Sequence, residues 1–411
     1  MSEKPRVKYL DRNTPPHITT LVLLAGLSAL SMNVFLPSLP SMATYFDADY
    51  GLVQLSVSLY LLLTGVLQLA IGPLSDRYGR RPVILAGFVI FNLATVGCLL
   101  AQSIEIFLVF RMIQAGIATG MVLSRAVVRD MVPANQAASM IAYVTMGMSL
   151  VPMLAPTLGG YLDALFGWQA NFAIMLILGI LVGLIVWLDL GETHRDKSQS
   201  LMAQLHDYPE LFASRRFWGY VLAAAFTSGS FFAFLGGAPL VGTDTFKLEP
   251  STLGVYFGFV SFGYLCGNYF SGRFSVRFGI NRMMLYGSII SLAGLCLSFV
   301  VLLAGATHPL AFFGFTIAVG LGNGMVLPNS NAGMLSVRPH LAGTASGLGG
   351  AIMLAGGASL AAITGVVLRP EWGAYPLLLL MIATSILATV AVYFVIRVEN
   401  SAGPLDISEH H

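Results

Sequence analysis

Charge is what this chain lacks. Only 10% of its 411 residues are Asp, Glu, Lys or Arg, against about a quarter in an ordinary soluble domain, and its mean hydropathy is +0.79. That balance excludes a water-soluble fold and reads as a polytopic membrane protein. Cysteine is scarce as well: Cys98, Cys266 and Cys296 all fall inside apolar runs, where they behave as small hydrophobes. No disulfide, metal site or cofactor is expected. The chain has no G-x-x-x-x-G-K-[ST] phosphate loop, no paired His, no Cys-rich motif and no long loop. These absences argue against an ATP-driven pump, a membrane enzyme and a receptor. The formal net charge of +2 gives no sign of nucleic-acid binding, because the placement of the basic residues matters more than their sum. No cleavable signal peptide is read, since the polar start with Lys4, Arg6, Lys8 and Arg12 runs into a full-length apolar span. The terminal pair His410-His411 resembles a tag remnant and is set aside.

What the chain has instead is apolar windows of about 20 residues, each long enough to cross a bilayer. They fall near 18–38, 51–74, 82–101, 106–128, 138–162 and 170–189, then near 217–238, 252–272, 283–304, 309–330, 342–366 and 374–396. The expected fold is therefore an all-α membrane protein of twelve transmembrane helices in two six-helix bundles. Residues 1–190 form the N-terminal bundle, 191–216 a cytoplasmic linker, 217–400 the C-terminal bundle and 401–411 a tail. With the N-terminus in the cytoplasm, 18 Lys and Arg residues lie on that side and two, Lys247 and Arg369, on the other. The asymmetry places both termini inside. The halves are weak copies of each other: Gly272-Arg273-Phe274-Ser275-Val276-Arg277-Phe278-Gly279 lies 200 residues after Gly72-Pro73-Leu74-Ser75-Asp76-Arg77-Tyr78-Gly79. Such repeats imply two bundles rocking about a midplane site.

The loop Gly72-Pro73-Leu74-Ser75-Asp76-Arg77-Tyr78-Gly79-Arg80-Arg81-Pro82 packs four charges between two apolar spans. Gly72 is expected to let two helices approach closely. These residues resemble the G-x-x-x-D-R-x-G-R-R signature of the major facilitator superfamily, between its second and third helices. The resemblance implies a latch on the cytoplasmic side made of Gly72, Asp76, Arg77, Gly79, Arg80, Arg81 and Asp130, with Asp130 paired to Arg80 and Asp76 facing the N-terminus of the eleventh helix.

Arg111 lies inside the fourth span, in Arg111-Met112-Ile113-Gln114-Ala115-Gly116. An arginine within the membrane costs several kcal/mol and is a functional residue by default; the alternative is a side chain that snorkels to the interface. The segment resembles the antiporter motif R-x-x-Q-G, which implies a role in proton transfer. The fifth span carries Gly147, Pro152, Pro156, Gly159 and Gly160, small residues and prolines that permit close packing and a kink. It resembles the motif G-x-x-x-G-P-x-x-G-G, with Val151 and Ala155 where glycines are usual, and that motif is associated with export.

The end of the first span, Met32-Asn33-Val34-Phe35-Leu36-Pro37-Ser38-Leu39-Pro40, resembles the D-x-Y-L-P-x-L-P segment of the bicyclomycin and chloramphenicol resistance branch of drug:proton antiporters. Val128-Arg129-Asp130, Gly167-Trp168, Glu192-Thr193 and Ala342-Gly343-Thr344-Ala345-Ser346 extend the resemblance over nearly the whole chain. The departure is Asn33, where the branch usually has aspartate. An amide has nearly the shape of a carboxylic acid but cannot release a proton. Asp47, Asp49, Glu105, Asp163, Asp244, Glu249 and Glu371 are placed in outer loops, and Asp76, Asp130, Asp189 and Glu192 at the cytoplasmic edge, so no acid is expected at membrane depth. Three explanations stand: an engineered exchange at Asn33, coupling moved elsewhere, or uniport.

The resemblance implies a drug site at the midplane. Its candidates are Asn33, Tyr60, Phe231, Phe234, Tyr256, Phe259, Asn268, Asn329 and Asn331, with Asn33 and Arg111 as proton-coupling positions. Aromatics at helical spacing more often pack than bind. A cavity with one positive charge, no acid, and several amides and aromatics favours neutral or weakly anionic lipophilic compounds. The expectation is an exporter of small lipophilic drugs, phenicols first, in exchange for protons. Its partners are the drug, protons and lipid, its state a monomer, and its location the bacterial inner membrane. The alternative is uptake or uniport of a metabolite.

Overall fold

The computed structural model describes residues 7–132, 140, 144, 151, 154–193, 208–338 and 341–402, and the described residues form helices and connecting turns only. In chain order the helices are α1 (Ile18–Asn33), α2 (Leu39–Tyr45), α3 (Tyr50–Tyr78), α4 (Arg80–Leu100), α5 (Ile104–Ile113) and α6 (Ala118–Met131). Then come α7 (154–166), α8 (Gln169–Asp189), α9 (Tyr208–Phe212), α10 (Arg215–Leu240), α11 (Pro250–Phe278), α12 (Ile280–Leu303), α13 (Leu310–Phe313), α14 (Thr316–Val337), α15 (Ala342–Val367) and α16 (Tyr375–Ala402).

Punctuation in the sequence sets their ends. Asp49 caps α3 by accepting from the Gly51 amide at 2.7 Å, the ordinary way to satisfy a free helical N–H. Gly79 at φ +100° stands between α3 and α4, a backbone region that only glycine adopts freely. The first span breaks after Asn33 into a 3₁₀ turn, Leu36–Ser38, and α2, with Pro37 and Pro40 at their first turns, where a missing N–H does no harm.

Ten of the described helical segments are long and apolar enough to cross a membrane. α11 is 29 residues long but falls outside that set, diluted by glycines, serines and Asn268. Most of the window 138–162, with Gly147 and Pro152, lies outside the described residues.

The described chain divides into two compact units. The first comprises Met1–Leu201, Leu235–Gly258 and Ala361–Val366; the second comprises Met202–Phe234, Phe259–Leu360 and Val367–His411. In the first unit α1 packs on α6 and α8, and α4 on α5 and α8. Glycine permits the close crossing of α1 and α6: a Cβ on Gly120 would lie 2.6 Å from the Leu24 carbonyl oxygen. Ser28 Oγ seals the same crossing by donating to the Ile117 carbonyl at 2.7 Å. In the second unit α12 packs on α14 and α16. Around Phe217, Tyr220, Met284, Val326, Met334 and Val395 they close an apolar core.

Candidate transport site and charge latch

The polar centre of the first unit is Arg111. Its side chain is fully buried, so it does not snorkel. The guanidinium donates to Ser31 Oγ at 3.2 Å, to the Ser31 carbonyl at 2.8 Å, to the Ser56 carbonyl at 3.3 Å and to Gln114 Oε1. Its carbon stands 3.8 Å from the Tyr60 ring centroid and 4.5 Å from that of Phe35. Tyr60 in turn shares a 3.1 Å hydrogen bond with Ser31 Oγ, and Gln114 donates to Thr95 Oγ1 at 2.7 Å. The break after Asn33 makes this possible, because it leaves the last carbonyls of α1 without intrahelical donors. A cation at a helix C-terminus is also favoured by the helix dipole. Among the described residues every hydrogen-bond and ring partner of Arg111 is neutral. A buried charge held without a counter-ion is costly, and its retention points to function.

Asn33 is buried at the end of α1, where its amide donates to the Ala29 carbonyl at 2.6 Å. α7 crosses the chain immediately beyond it: a Cβ on Gly159 would overlap the Val34 carbonyl, and one on Gly160 would overlap that of Pro250. Pro156 is buried, and a Cβ on Gly254 would lie 2.6 Å from its carbonyl oxygen. Thr157 Oγ1 donates to the Gly254 carbonyl at 2.8 Å. The small residues of the fifth span thus bring α7 against both the α1 break and the start of α11.

Gln54 escaped the sequence reading, which searched the spans for acids. It is fully buried on α3, and neither amide atom has a hydrogen-bond partner among the described residues. Glycines from two other helices enclose it: a Cβ on Gly236 would overlap its Nε2, and one on Gly365 would lie 2.9 Å from its Oε1. Beside it Tyr50 donates its hydroxyl to the Gly236 carbonyl at 2.8 Å. A lone glutamine within an apolar window was the available signal.

Two acids read from the sequence as loop or edge residues are buried. Asp163, placed in an outer loop by the sequence, sits on α7 and is 8% exposed. Its Oδ2 accepts from Ser41 Oγ at 2.8 Å. The hydroxyls of Ser41 and Ser38 hydrogen-bond to this carboxyl. Asp189 is fully buried and accepts from the Leu10 amide at 2.7 Å, the His17 amide at 2.9 Å and Thr20 Oγ1 at 2.6 Å. It ties the N-terminal segment to α8.

The remaining candidates divide between the units. Tyr256 belongs to the first and is half-buried. In the second, Phe231 and Phe259 are half-buried, while Phe234 is buried against Phe312 and Phe313 at centroid distances of 6.3 and 6.2 Å. Asn268 donates to the Tyr264 carbonyl at 2.9 Å. Asn329 is buried and donates to Ser271 Oγ at 2.8 Å and the Met325 carbonyl at 2.7 Å, whereas Asn331 is exposed.

Of the residues expected to form a latch, Asp76, Arg80 and Asp130 lie in contact. Arg80 pairs with Asp76 at 2.5 Å and with Asp130 at 3.1 Å, and also donates to Ser75 Oγ. Thr193 Oγ1 donates to the same Asp130 oxygen at 3.2 Å. Glu192 accepts from the Arg80 and Arg81 amides at 2.9 and 3.2 Å, an anion on the N-terminus of α4. Arg81 returns the contact, donating to the Leu190 and Trp187 carbonyls at 2.8 and 3.0 Å, a cation on the C-terminus of α8. Gly79 leaves the space that Glu192 fills. Arg77 is exposed, its guanidinium carbon 5.4 Å from the Tyr78 ring. At Gly72 a Cβ meets nothing within 4 Å among the described residues.

Membrane-length helices, a fully buried arginine and a turn clasped by carboxylates mark a multi-pass membrane protein. The chain belongs to the Major Facilitator Superfamily, whose description it matches over residues 21–362 and 243–409. It is 31% identical to the multidrug resistance protein D of Escherichia coli strain K12, covering 88% of this chain and 91% of that protein. It is 30% identical to a chloramphenicol resistance protein of Pseudomonas aeruginosa, covering 93% and 92%. These relatives agree with the drug-resistance branch that its motifs resemble. A crystal structure of a bacterial homologue of the human lysosomal transporter Spinster, inward-facing and unoccupied, shares the fold with a TM-score of 0.70 and 19% identity over 92% of this chain and 95% of that one.

Proposed function

We propose that this transporter exports small lipophilic antibiotics, phenicols first among them, in exchange for protons across a bacterial inner membrane. The observation that carries the reading is Arg111, a buried cation with neutral partners lying against the faces of Tyr60 and Phe35. A fixed positive charge beside aromatic faces and amides attracts neutral or weakly anionic lipophilic molecules and repels cations. The relatives named for resistance to chloramphenicol and to multiple drugs support both the direction of transport and the phenicols.

On this reading the chain has twelve spans, counting the fifth window and α11, with both termini cytoplasmic, in bundles 1–190 and 217–400 joined by 191–216. The latch loop faces the cytoplasm and restrains that side during alternating access. Of the candidate drug-contact residues, Asn33, Tyr60 and Tyr256 belong to the first unit and Phe231, Phe259, Asn268, Asn329 and Asn331 to the second; Phe234 serves by packing within its own unit. The protein works as a monomer, with the drug, protons and lipid as its partners.

Asn33 favours a second reading, uptake or uniport on the same fold, because its amide cannot release a proton. The test uses proteoliposomes with an acid interior and labelled chloramphenicol, comparing this chain with Asn33→Asp. Accumulation above equilibrium, with proton loss from the lumen, supports antiport. Equilibration that ignores the pH gradient overturns it in favour of uniport. A gain of coupling only in Asn33→Asp places the lost proton site at position 33.

A further inference from the structure

The structure assigns a proton-binding site to Asp163, at the outer end of the first unit, held by Ser41 and Ser38 on the broken segment that follows Asn33. As a coupling site it rests on the antiport reading; as a proton site it stands on geometry.

The two buried carboxylates have opposite partner chemistry. Asp189 is held by two backbone amides and a threonine hydroxyl; an amide can only donate, so this cradle suits the carboxylate form and has little to offer an added proton. Asp163 has hydroxyl partners, which both donate and accept. Ser41 Oγ has one hydrogen and two acceptors in reach, Asp163 Oδ2 at 2.8 Å and the Ser38 carbonyl at 2.9 Å. With Asp163 charged, Ser41 donates to it. When a proton from the outer water binds the carboxylate, Ser41 turns its hydrogen to the Ser38 carbonyl and accepts the new O–H from Asp163. Both states are then fully hydrogen-bonded, as a proton carrier requires.

Among the described residues Asp163 makes no ion pair. The titratable groups on the elements packed around Asp163 are Tyr45, Asp47 and Asp49 after α2 and before α3, Tyr161 on its own helix, and Lys247 and Glu249 beside Pro250. None forms a hydrogen bond or ion pair with Asp163 among the described residues. Burial without a cation favours the neutral acid.

The position also supplies a route to the centre. Asn171 donates from Nδ2 to Ser38 Oγ at 2.9 Å and to the Gly159 carbonyl at 3.2 Å, fixing the 3₁₀ turn against α7. The residues from Asn33 to Ser41 therefore carry the coupling position, the Phe35 ring on Arg111 and both hydroxyl partners of Asp163. A change in the direction of one serine hydrogen acts on a segment that touches Arg111.

Two measurements decide the proposal. Infrared difference spectra of the full chain in liposomes, between about pH 4 and pH 8, should contain a carboxylic-acid C=O band. The band should vanish in Asp163→Asn and return, shifted, in Asp163→Glu. A band unchanged in Asp163→Asn, or no titrating band at all, overturns the site whether or not the protein moves phenicols. In the second, Asp163→Asn should lose chloramphenicol-driven proton flux, down to the level of empty liposomes, while keeping chloramphenicol counterflow, and Asp163→Glu should recover the flux. Retained flux in Asp163→Asn overturns the coupling role. If the unsubstituted chain moves neither drug nor protons, the export reading fails, and the infrared result alone decides the proton site.

Discussion

The loops at 72–82 and 272–282 are the same turn built twice, and they differ in the charges that clasp it. α3 and α11 are each 29 residues long and start and end 200 positions apart, and α4 and α12 begin at 80 and 280. Both turns are closed by a glycine with positive φ, +100° at Gly79 and +84° at Gly279. In the first copy the turn is clasped by carboxylates: Asp76 and Asp130 on Arg80, and Glu192 on the two amides. In the second, Val276 stands where Asp76 would be and is 97% exposed, and a Cβ on Gly279 meets nothing within 4 Å among the described residues. One contact survives the duplication in altered form, for Glu399 at the end of α16 accepts from Asn281 and from Tyr220 at 2.6 Å. Backbone geometry is common to both copies, whereas among the described residues an arginine clasped by carboxylates is found in the first.

Substitutions can break that contrast, and the largest effect is expected at Arg80. Arg80→Ala leaves Asp76 and Asp130 facing each other without their shared cation, at a cost of about 3 kcal/mol, read as a lowered thermal midpoint in detergent together with lost transport. Arg277→Ala in the other loop should leave both unchanged; equal losses would show that the two turns are restrained alike. Gly79→Ala comes next, at about 2 kcal/mol, because it combines a backbone region closed to other residues with displacement of Glu192. Gly279→Ala should cost less, since it has the backbone strain alone, and the two thermal midpoints test the difference. Glu192→Gln keeps the shape of the cap but removes its charge, for about 1 kcal/mol, seen in the same melting experiment. The smallest effect sharpens the comparison from the other side: Val276→Asp with Ile280→Arg installs an i,i+4 pair worth about 0.4 kcal/mol, and a double-mutant cycle measures it.

Much of this was legible because the signals were local. An arginine inside an apolar run is visible without a structure, and so are proline breaks at 37 and 40 and a charged loop of fixed spacing. The failures were long-range. Asp163 looks like a loop acid until Ser41, Ser38 and Asn171, each distant or on another helix, close around it. Gly72 has the residue type for close approach, but nothing described approaches it. Glu192 follows α8 as an ordinary surface acid would, and only the fold shows that it caps α4, more than a hundred residues earlier. Gln54 was readable in type, yet the glycines that enclose it come from α10 and α15.

Arg111 has a further consequence in electrical terms. A guanidinium fixed inside the insulating layer of a membrane feels the voltage across that layer, and one elementary charge moved through the whole field is worth about 2.3 kcal/mol per 100 mV. Any step that carries α5 and its neighbours a fraction of the way along the field is biased by that fraction. A resting cell's potential therefore bears on this transporter even when its substrate is neutral.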